Sequence, residues 1–263
     1  MKILLIIISL VPMLIYAQEK NNLTFNVEYN RHQFAMEQIN SYLSDTNYFS
    51  TNVFDGAPAN QVNRGNNFAM SISYQPNSIV DFGFYGSYQN SKLYRTPYFY
   101  EDLDPIWNPG QNIVTHEGDY EFSIESLCLG LTSTIFLNKI LKFEQKNNNL
   151  LNRILLGVNF KGGIGFAETH EEYSYPTIPF MFSNGTYSAK SFHGQLGLRL
   201  GYIISKKSIF SAVGINIGYQ FFKTPNIKNK IGQDIVESAN YANVSANLDF
   251  SGLYGGLYLT IGK

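Results

Sequence analysis

The feature that most constrains this chain is a pair of long alternating segments between Thr186 and Lys223. Apolar residues recur at every second position in both segments, at Phe192, Leu196, Leu198, Leu200 and Tyr202 and then at Val213, Ile215, Ile217, Tyr219 and Phe221. A period of two is the signature of a β-strand with one apolar and one polar face. Only a short polar stretch, Ser205–Ser208, separates the segments, so the sequence predicts a β-hairpin.

Both arms of this hairpin are long enough to cross a membrane. Strands of soluble domains have about 5–6 residues, whereas a tilted strand that spans a bilayer needs about 9–11. The polar faces are rich in glycine, which suits a narrow and curved interior. We therefore predict a transmembrane hairpin with its apolar face toward lipid and its polar face toward a lumen. A long hairpin of a soluble β-sandwich is the alternative.

The same alternation recurs along the chain and predicts eight strands in all. They cover residues 23–30, 68–74, 80–89, 127–137, 154–166, 192–202, 212–221 and 253–261. Long connections (31–65, 95–119, 168–187 and 224–246) alternate with shorter ones, as in outer-membrane barrels with external loops and periplasmic turns. In the first connection, Met36, Ile39 and Leu43 have helical spacing near Phe34, which predicts a short amphipathic helix.

The N-terminus has the pattern of a cleaved secretory signal. One lysine, a short apolar core and a small residue at Ala17 precede a polar run, so residues 1–17 are predicted to be a signal peptide. Residues 18–263 then form the barrel. No later segment contains 18 unbroken apolar residues, so a membrane-spanning helix is not expected.

Composition agrees with a membrane barrel and argues against two other classes of protein. The chain has 19 tyrosines and 20 phenylalanines, and aromatic residues are enriched where barrel strands cross membrane interfaces. The single cysteine, Cys128, excludes an intrachain disulfide framework. A net charge of −1 gives no basic field for nucleic acid.

The chain resembles the small eight-stranded outer-membrane barrels of the OmpA, OmpX and OmpW type. Its last strand carries a glycine followed by alternating apolar residues, Gly256, Leu259 and Ile261, which is similar to the signal by which such proteins are recognised for insertion. The resemblance implies an all-β, eight-stranded antiparallel barrel in the bacterial outer membrane. It implies little about function, because this architecture serves adhesins, structural anchors, pores and lipid-modifying enzymes.

Four charged residues are predicted to face the lumen. Counted from the periplasmic end, Glu28, Asp81 and Arg199 lie at similar depths, and a charge in a narrow lumen requires a partner. We interpret them as a structural ion network that plugs the barrel; a gate or selectivity filter is the alternative. Lys161 is placed higher, near Asn30 and Tyr85, with no acidic partner at its level.

Enzymatic signals are weak. His193 is predicted to be a hydrogen-bonded interior residue beside Gln195, and no histidine falls in a pattern typical of lipid-modifying barrel enzymes. Glu168, His170 and Glu172 alternate on one strand face, where a solvated acidic rim is the main interpretation and a metal site the alternative. No catalytic residue, metal or cofactor is expected.

The predicted external loops contain aromatic and apolar clusters. The candidate contact residues are Tyr98, Phe99, Tyr100 and Trp107 in the second loop and Phe180 and Phe182 in the third. Exposed clusters of this kind usually form contact surfaces, although these could equally fold over the barrel mouth as a lid or meet lipopolysaccharide headgroups.

The sequence therefore predicts a non-enzymatic outer-membrane barrel with a plugged lumen that acts as a structural or interaction component through its loops. Its expected partners are outer-membrane lipid, lipopolysaccharide and an envelope protein. A narrow pore for small or apolar solutes is the main alternative, and a lipid-modifying enzyme is the third hypothesis.

Overall fold

The computed structural model describes most of the predicted barrel. The described residues are 22–45, 54–55, 61–96, 98–103, 106, 113–142, 151–174, 182–204, 210–237, 242–244 and 246–262. The predicted signal peptide, the hairpin turn at 205–208, Trp107 and Phe180 lie outside these residues.

Eight of the strands belong to one sheet. They are β1 (Leu23–Gln33), β3 (Arg64–Tyr74), β4 (Val80–Arg95), β7 (Asp119–Phe136), β8 (Ile154–Ser174), β9 (Phe182–Ile203), β10 (Phe210–Phe221) and β15 (Gly252–Ile261). All eight predicted strands are present, and every neighbouring pair is antiparallel.

Shorter elements lie in the connections. Within the described residues there are three small sheets. They contain β2 (Phe54–Asp55) with β5 (Tyr98–Asp102) and β6 (Ile113–Glu117), β11 (Lys223–Asn226) with β14 (Asn247–Asp249), and β12 (Ile235–Glu237) with β13 (Ala242–Val244). The helices are α1 (Glu37–Asp45), α2 (Leu137–Ile140) and a 3-10 turn at Leu151–Arg153. Helix α1 confirms the helix predicted from the spacing of Met36, Ile39 and Leu43.

The main sheet closes into a barrel in the order β1-β15-β10-β9-β8-β7-β4-β3. The first and last strands pair directly from Phe25 with Ile261 to His32 with Tyr254. Closure leaves none of these eight strands with an unpaired edge. This is required inside a membrane, because hydrocarbon contains no water that could form hydrogen bonds with unpaired backbone groups. This confirms the predicted all-β, eight-stranded antiparallel barrel.

The strands are staggered around the barrel. The stagger can be measured by starting at Tyr29 and moving to the paired residue on each next strand. Through β15 and β10 this path reaches Leu200 on β9. In the opposite direction, through β3, β4, β7 and β8, it reaches Lys190, which also lies on β9. The two routes differ by ten residues. Such a stagger is linked to strand tilt, so residues equally far from their strand ends need not lie at equal depth.

The outer face of the barrel carries a broad apolar band. Its most exposed members include Phe84 at 72%, Phe192 at 69% and Leu131 at 62%, while the interleaved side chains point into a polar interior. A band of this kind faces lipid in outer-membrane barrels. Among the described residues, no helix is both long enough and apolar enough to cross a membrane.

Above the band the strands reverse their polarity. On β7 the outward residues Leu127, Leu129 and Leu131 are 48–62% exposed, but toward the loop end the inward Phe122 and Ile124 are buried and apolar. The outward positions there become polar or charged. The barrel wall therefore faces lipid over one length and covers an internal apolar core over the next.

This reversal explains why the loop predictions were wrong in part. Residues 168–187 were predicted to be a loop, yet β8 continues to Ser174 and β9 begins at Phe182. Likewise β4 reaches Arg95 and β7 begins at Asp119. The alternation that signals a strand changes phase where the wall leaves the membrane, so the outward apolar pattern ends before the strand does.

Two glycines mark a close approach between β7 and β8. Gly130 and Gly163 are cross-strand partners, and a Cβ on Gly163 would lie 2.0 Å from the carbonyl oxygen of Leu129. A Cβ on the adjacent Gly162 would meet only the Phe192 ring, at 3.7 Å. The backbone of β7 therefore leaves room for a side chain at one of these positions and not at the other.

We predict that Gly163→Ala lowers the free energy of unfolding by about 1–3 kcal/mol, the usual cost of overpacking. Gly162→Ala is the matched control and should change stability much less. Urea unfolding of the protein refolded in detergent measures both. Equal stability of the two variants would contradict the close approach.

Candidate functional site

The lumen is crossed by a buried ion network centred on Glu28. One carboxylate oxygen of Glu28 accepts hydrogen bonds from Lys161 Nζ at 2.7 Å and from Asn216 Nδ2 at 3.0 Å. The other oxygen accepts a hydrogen bond from Nη2 of Arg199. Glu28, Lys161 and Arg199 are 2%, 5% and 7% exposed. One carboxylate therefore serves two cations that have little access to solvent.

This network connects opposite walls of the barrel. In the closed order, β1 and β8 are four positions apart among eight strands, so the Glu28–Lys161 pair spans the diameter. Aromatic rings support the cations, since Lys161 Nζ lies 5.7 Å from the Tyr85 ring centre and Arg199 Cζ lies 5.0 Å from that of Tyr258. Such contacts favour a desolvated cation.

A second bridge, made of neutral side chains, lies nearer the loop end. Gln89 and Gln220 exchange hydrogen bonds at 2.6 and 3.1 Å. Gln195 Nε2 donates to the same Gln220 oxygen at 2.7 Å, and His193 Nε2 lies 3.2 Å from it. The other ring nitrogen of His193 is 2.5 Å from the Tyr85 hydroxyl oxygen. His193 is thus the hydrogen-bonded interior residue that its position predicted.

The two bridges cross each other. Strands β4 and β10, which carry Gln89 and Gln220, are also four positions apart and lie a quarter of the circumference from β1 and β8. Side-chain contacts through the lumen therefore connect β1 with β8 and β4 with β10, in two directions a quarter turn apart. The side chains that form these bridges lie in a lumen that eight strands make narrow.

An apolar core, here called the cap, lies above the glutamine bridge. Its central residues are at most 4% exposed and come from distant parts of the chain: Phe34, Met36, Ile39, Leu43, Phe222, Ile227, Leu248 and Phe250. The cap packs against inward apolar residues of β4, β7 and β8. The cap is the core that is enclosed by the inward apolar side chains of the barrel wall above the apolar band.

Ring contacts and backbone hydrogen bonds hold the cap in place. Phe250 contacts Phe34 edge to face and stacks on Phe222, each with ring centres 5.2 Å apart. Phe222 in turn lies edge-on to His193 at 5.7 Å, and the Phe250 carbonyl accepts a hydrogen bond from Gln220 Nε2 at 2.9 Å. The cap therefore rests directly on the glutamine bridge.

One row of the inner wall is not fully hydrogen-bonded. Strand pairing places its residues side by side in the order Arg199, Asn216, Gly256, Asn30, Asn67, Gln89, Ser126. Buried atoms without a hydrogen-bond partner along this row include both amide atoms of Asn67, Oδ1 of Asn30 and of Asn216, and Oγ of Ser126. Because buried polar groups are normally paired, this row is the part of the lumen best able to bond a small polar molecule.

The sequence assigned one lumen residue wrongly. Lys161 was predicted to have no acidic partner, but it bonds Glu28. This error arose because depth was counted from strand ends, whereas the stagger of the strands shifts the levels at which side chains meet. Asp81 was predicted to share the network with Arg199. Its carboxylate accepts a hydrogen bond from the backbone N–H of Thr134 at 2.6 Å, and Arg199 is near enough to act on it electrostatically. Its place in the network stays a prediction.

The residues of the predicted insertion signal lie in the closing strand. Leu259 pairs with Val27 and Ile261 with Phe25. A Cβ on Gly256 would lie 2.0 Å from the Tyr29 carbonyl oxygen, so this glycine permits close packing of β1 and β15. A role of these residues in insertion stays a prediction.

The predicted loop contacts are only partly described. Tyr98, Phe99 and Tyr100 belong to β5, which pairs with β6, and Phe182 begins β9. Glu168 and His170 lie on the outer face of β8, with 3.9 Å between His170 Nε2 and a Glu168 oxygen, and both are well exposed. Their contact roles stay predictions.

Comparisons with known proteins give structural similarity alone. No family model and no curated protein matches the chain. Among solved structures, it is similar to a major outer-membrane protein of Thermus thermophilus (10% identity, 91% of this chain and 99% of that one, TM-score 0.41). It is also similar to Ail of Yersinia pestis in complex with the heparin analogue sucrose octasulfate (12%, 90% and 97%, 0.34) and to Neisserial surface protein A (8%, 91% and 97%, 0.31).

The geometry of the barrel indicates a membrane environment independently of these similarities. A closed eight-stranded sheet with an apolar outer band and a polar interior is the form that β-proteins take in the outer membrane. The protein has the fold of an eight-stranded membrane β-barrel.

We predict that Glu28→Gln lowers the free energy of unfolding by about 3–5 kcal/mol, because two buried cations would lose their shared counter-ion. Asp81→Asn is the comparison variant, since the described contact of the Asp81 carboxylate is with the Thr134 backbone, whereas Glu28 bonds both cations directly, and it should cost clearly less. Urea unfolding in lipid vesicles measures both variants. A larger loss for Asp81→Asn would show that the network is centred elsewhere.

Proposed function

We propose that this protein is a closed, non-enzymatic envelope barrel that acts as a structural or interaction component through its surface at the loop end. The observation that carries the proposal is the pair of crossed bridges, Glu28–Lys161 and Gln89–Gln220, beneath the cap. A lumen occupied in this way leaves the outer surface and the loops as the parts available to other molecules.

The chemistry of the lumen supports a structural role for its polar groups. Glu28 and both cations are engaged with one another, and His193 bonds Gln220 and Tyr85. Each of these four side chains is at most 7% exposed. We therefore assign the network to fixing the distance between opposite strands and not to catalysis.

The loop end offers surface for interaction. Strands β4, β7, β8 and β9 continue past the apolar band, and the β2-β5-β6 sheet lies in the connections that the sequence placed outside the cell. We propose that a partner in the envelope or outside the cell contacts this region, with Tyr98, Phe99, Tyr100, Trp107, Phe180 and Phe182 as the candidate contacts.

A narrow pore is the second candidate, and one observation favours it. The row of incompletely bonded polar residues from Arg199 to Ser126 follows the stagger of the sheet toward the loop end. A small polar solute could exchange hydrogen bonds along this row if the cap opened. A lipid-modifying enzyme, the third hypothesis, would need a histidine and an acid together beside a site for substrate.

The experiment that separates the first two candidates is planar-bilayer recording of the purified, refolded protein. We predict no steady conductance, because the bridges and the cap obstruct the path of ions. A barrel of similar size with an open lumen, reconstituted in the same bilayers, is the positive control. Reproducible, long-lived conductance of the unaltered protein would overturn the closed-barrel proposal in favour of the pore.

A further inference from the structure

We propose that the outer face of β1 and β3 binds the phosphate group of an outer-leaflet lipid, with Arg31 and Arg64 as its ligands. The bound molecule would be a phosphorylated glycolipid whose acyl chains lie along the apolar band. The inference depends on the loop end facing outward, and it does not depend on whether the lumen is closed.

The upper limit of the apolar band is well defined on this side of the barrel. Strand pairing places Tyr29, Phe68 and Tyr88 side by side on the outer face of β1, β3 and β4. Tyr29 and Tyr88 are 51% and 40% exposed. Aromatic girdles of this kind lie at the membrane interface, so the next outward residues lie at the depth of lipid headgroups.

Those next residues are arginine and asparagine. Arg31 pairs with Asn66, and Gln33 pairs with Arg64, so the two arginines are diagonal neighbours on adjacent strands. Diagonal positions are about 7–8 Å apart, within reach of long side chains, and both arginines are exposed. Their guanidinium groups can therefore converge on one group, and the fork of donors on each matches the oxygens of a phosphate.

Asn66 adds an oriented donor between the arginines and the girdle. The Tyr29 hydroxyl donates a hydrogen bond to Asn66 Oδ1 at 2.9 Å. That bond occupies the amide oxygen and leaves the amide nitrogen to donate outward. The site thus offers two cations and a neutral donor directly above an aromatic ring.

Charge distribution around the rim favours this face over its neighbours. Lys92 on β4 is paired with Glu121, whereas neither Arg31 nor Arg64 has an acidic side chain within ion-pair distance in the described part of the chain. Farther round, a surface groove of about 430 Å³ beside Tyr88 is lined by Glu125 and Glu168 together with Lys190. That groove has two carboxylates for one cation, whereas β1 and β3 present two arginines, so the anionic headgroup is expected on β1 and β3.

The test is native mass spectrometry of the protein released from detergent in the presence of bisphosphorylated lipid A. We expect Arg31→Gln with Arg64→Gln to reduce lipid retention at least tenfold, and each single variant to lose part of it. The matched control removes two exposed lysines elsewhere, Lys142→Gln with Lys230→Gln, and should retain lipid as the unaltered protein does. Dephosphorylated lipid should bind weakly to all forms.

Folding is checked by the mobility difference between boiled and unboiled protein, which should be unchanged because both arginines point outward. If the double variant does not fold, the folded single variants carry the test. Equal retention by the arginine and control variants, or equal retention of dephosphorylated lipid, would overturn the proposal. Neither result would bear on lumen closure, which the conductance measurement tests separately.

Discussion

Glu28 is the residue on which the interior of this barrel depends. A carboxylate buried at 2% exposure is costly unless it is paired. Its partner Lys161 comes from the strand four positions away in the closed order, and Arg199 from the strand three positions away. The pairing therefore acts across the barrel, where backbone hydrogen bonds act only between neighbouring strands. The Gln89–Gln220 bridge repeats this connection at a quarter turn, so the lumen is braced in two directions.

The second organising feature is the reversal of polarity along the strands. At membrane depth the wall is apolar outside, as at Leu129, and polar inside. Beyond the membrane it is polar outside, as at Glu121, and apolar inside, as at Phe122. The same strands thus contribute to two environments, and the cap is an ordinary water-excluding core assembled on the end of a membrane barrel. The stack from ion network to glutamine bridge to cap supports the proposal that the loop end, and not the lumen, is the surface for interaction.

Much of this fold could be predicted from sequence, because membrane strands follow a simple rule. Apolar alternation identified all eight barrel strands, and helical spacing of Met36, Ile39 and Leu43 identified α1. Three things could not be predicted. The strand extensions were missed because the alternation changes phase, as between Ile124 and Leu127. The acidic partner of Lys161 was missed because the stagger that brings it to Glu28 is a property of the closed sheet. The cap was missed because it brings together residues more than 200 positions apart in the sequence, such as Phe34 and Phe250. A pattern within a short stretch of sequence cannot predict a contact between such distant residues.

The central claim is that Glu28 and the cations of the opposite wall act as one unit. A double-mutant cycle tests it most directly, with Glu28→Gln, Arg199→Met and the two together, each measured as the free energy of unfolding in lipid vesicles. Residues in direct contact couple by about 0.5–3 kcal/mol, whereas distant residues are additive within about 0.3–0.5 kcal/mol. The structure predicts coupling in the upper part of that range, because the pair is buried and bonded. Additive losses would contradict the account and would mean that Glu28 and Arg199 are stabilised separately.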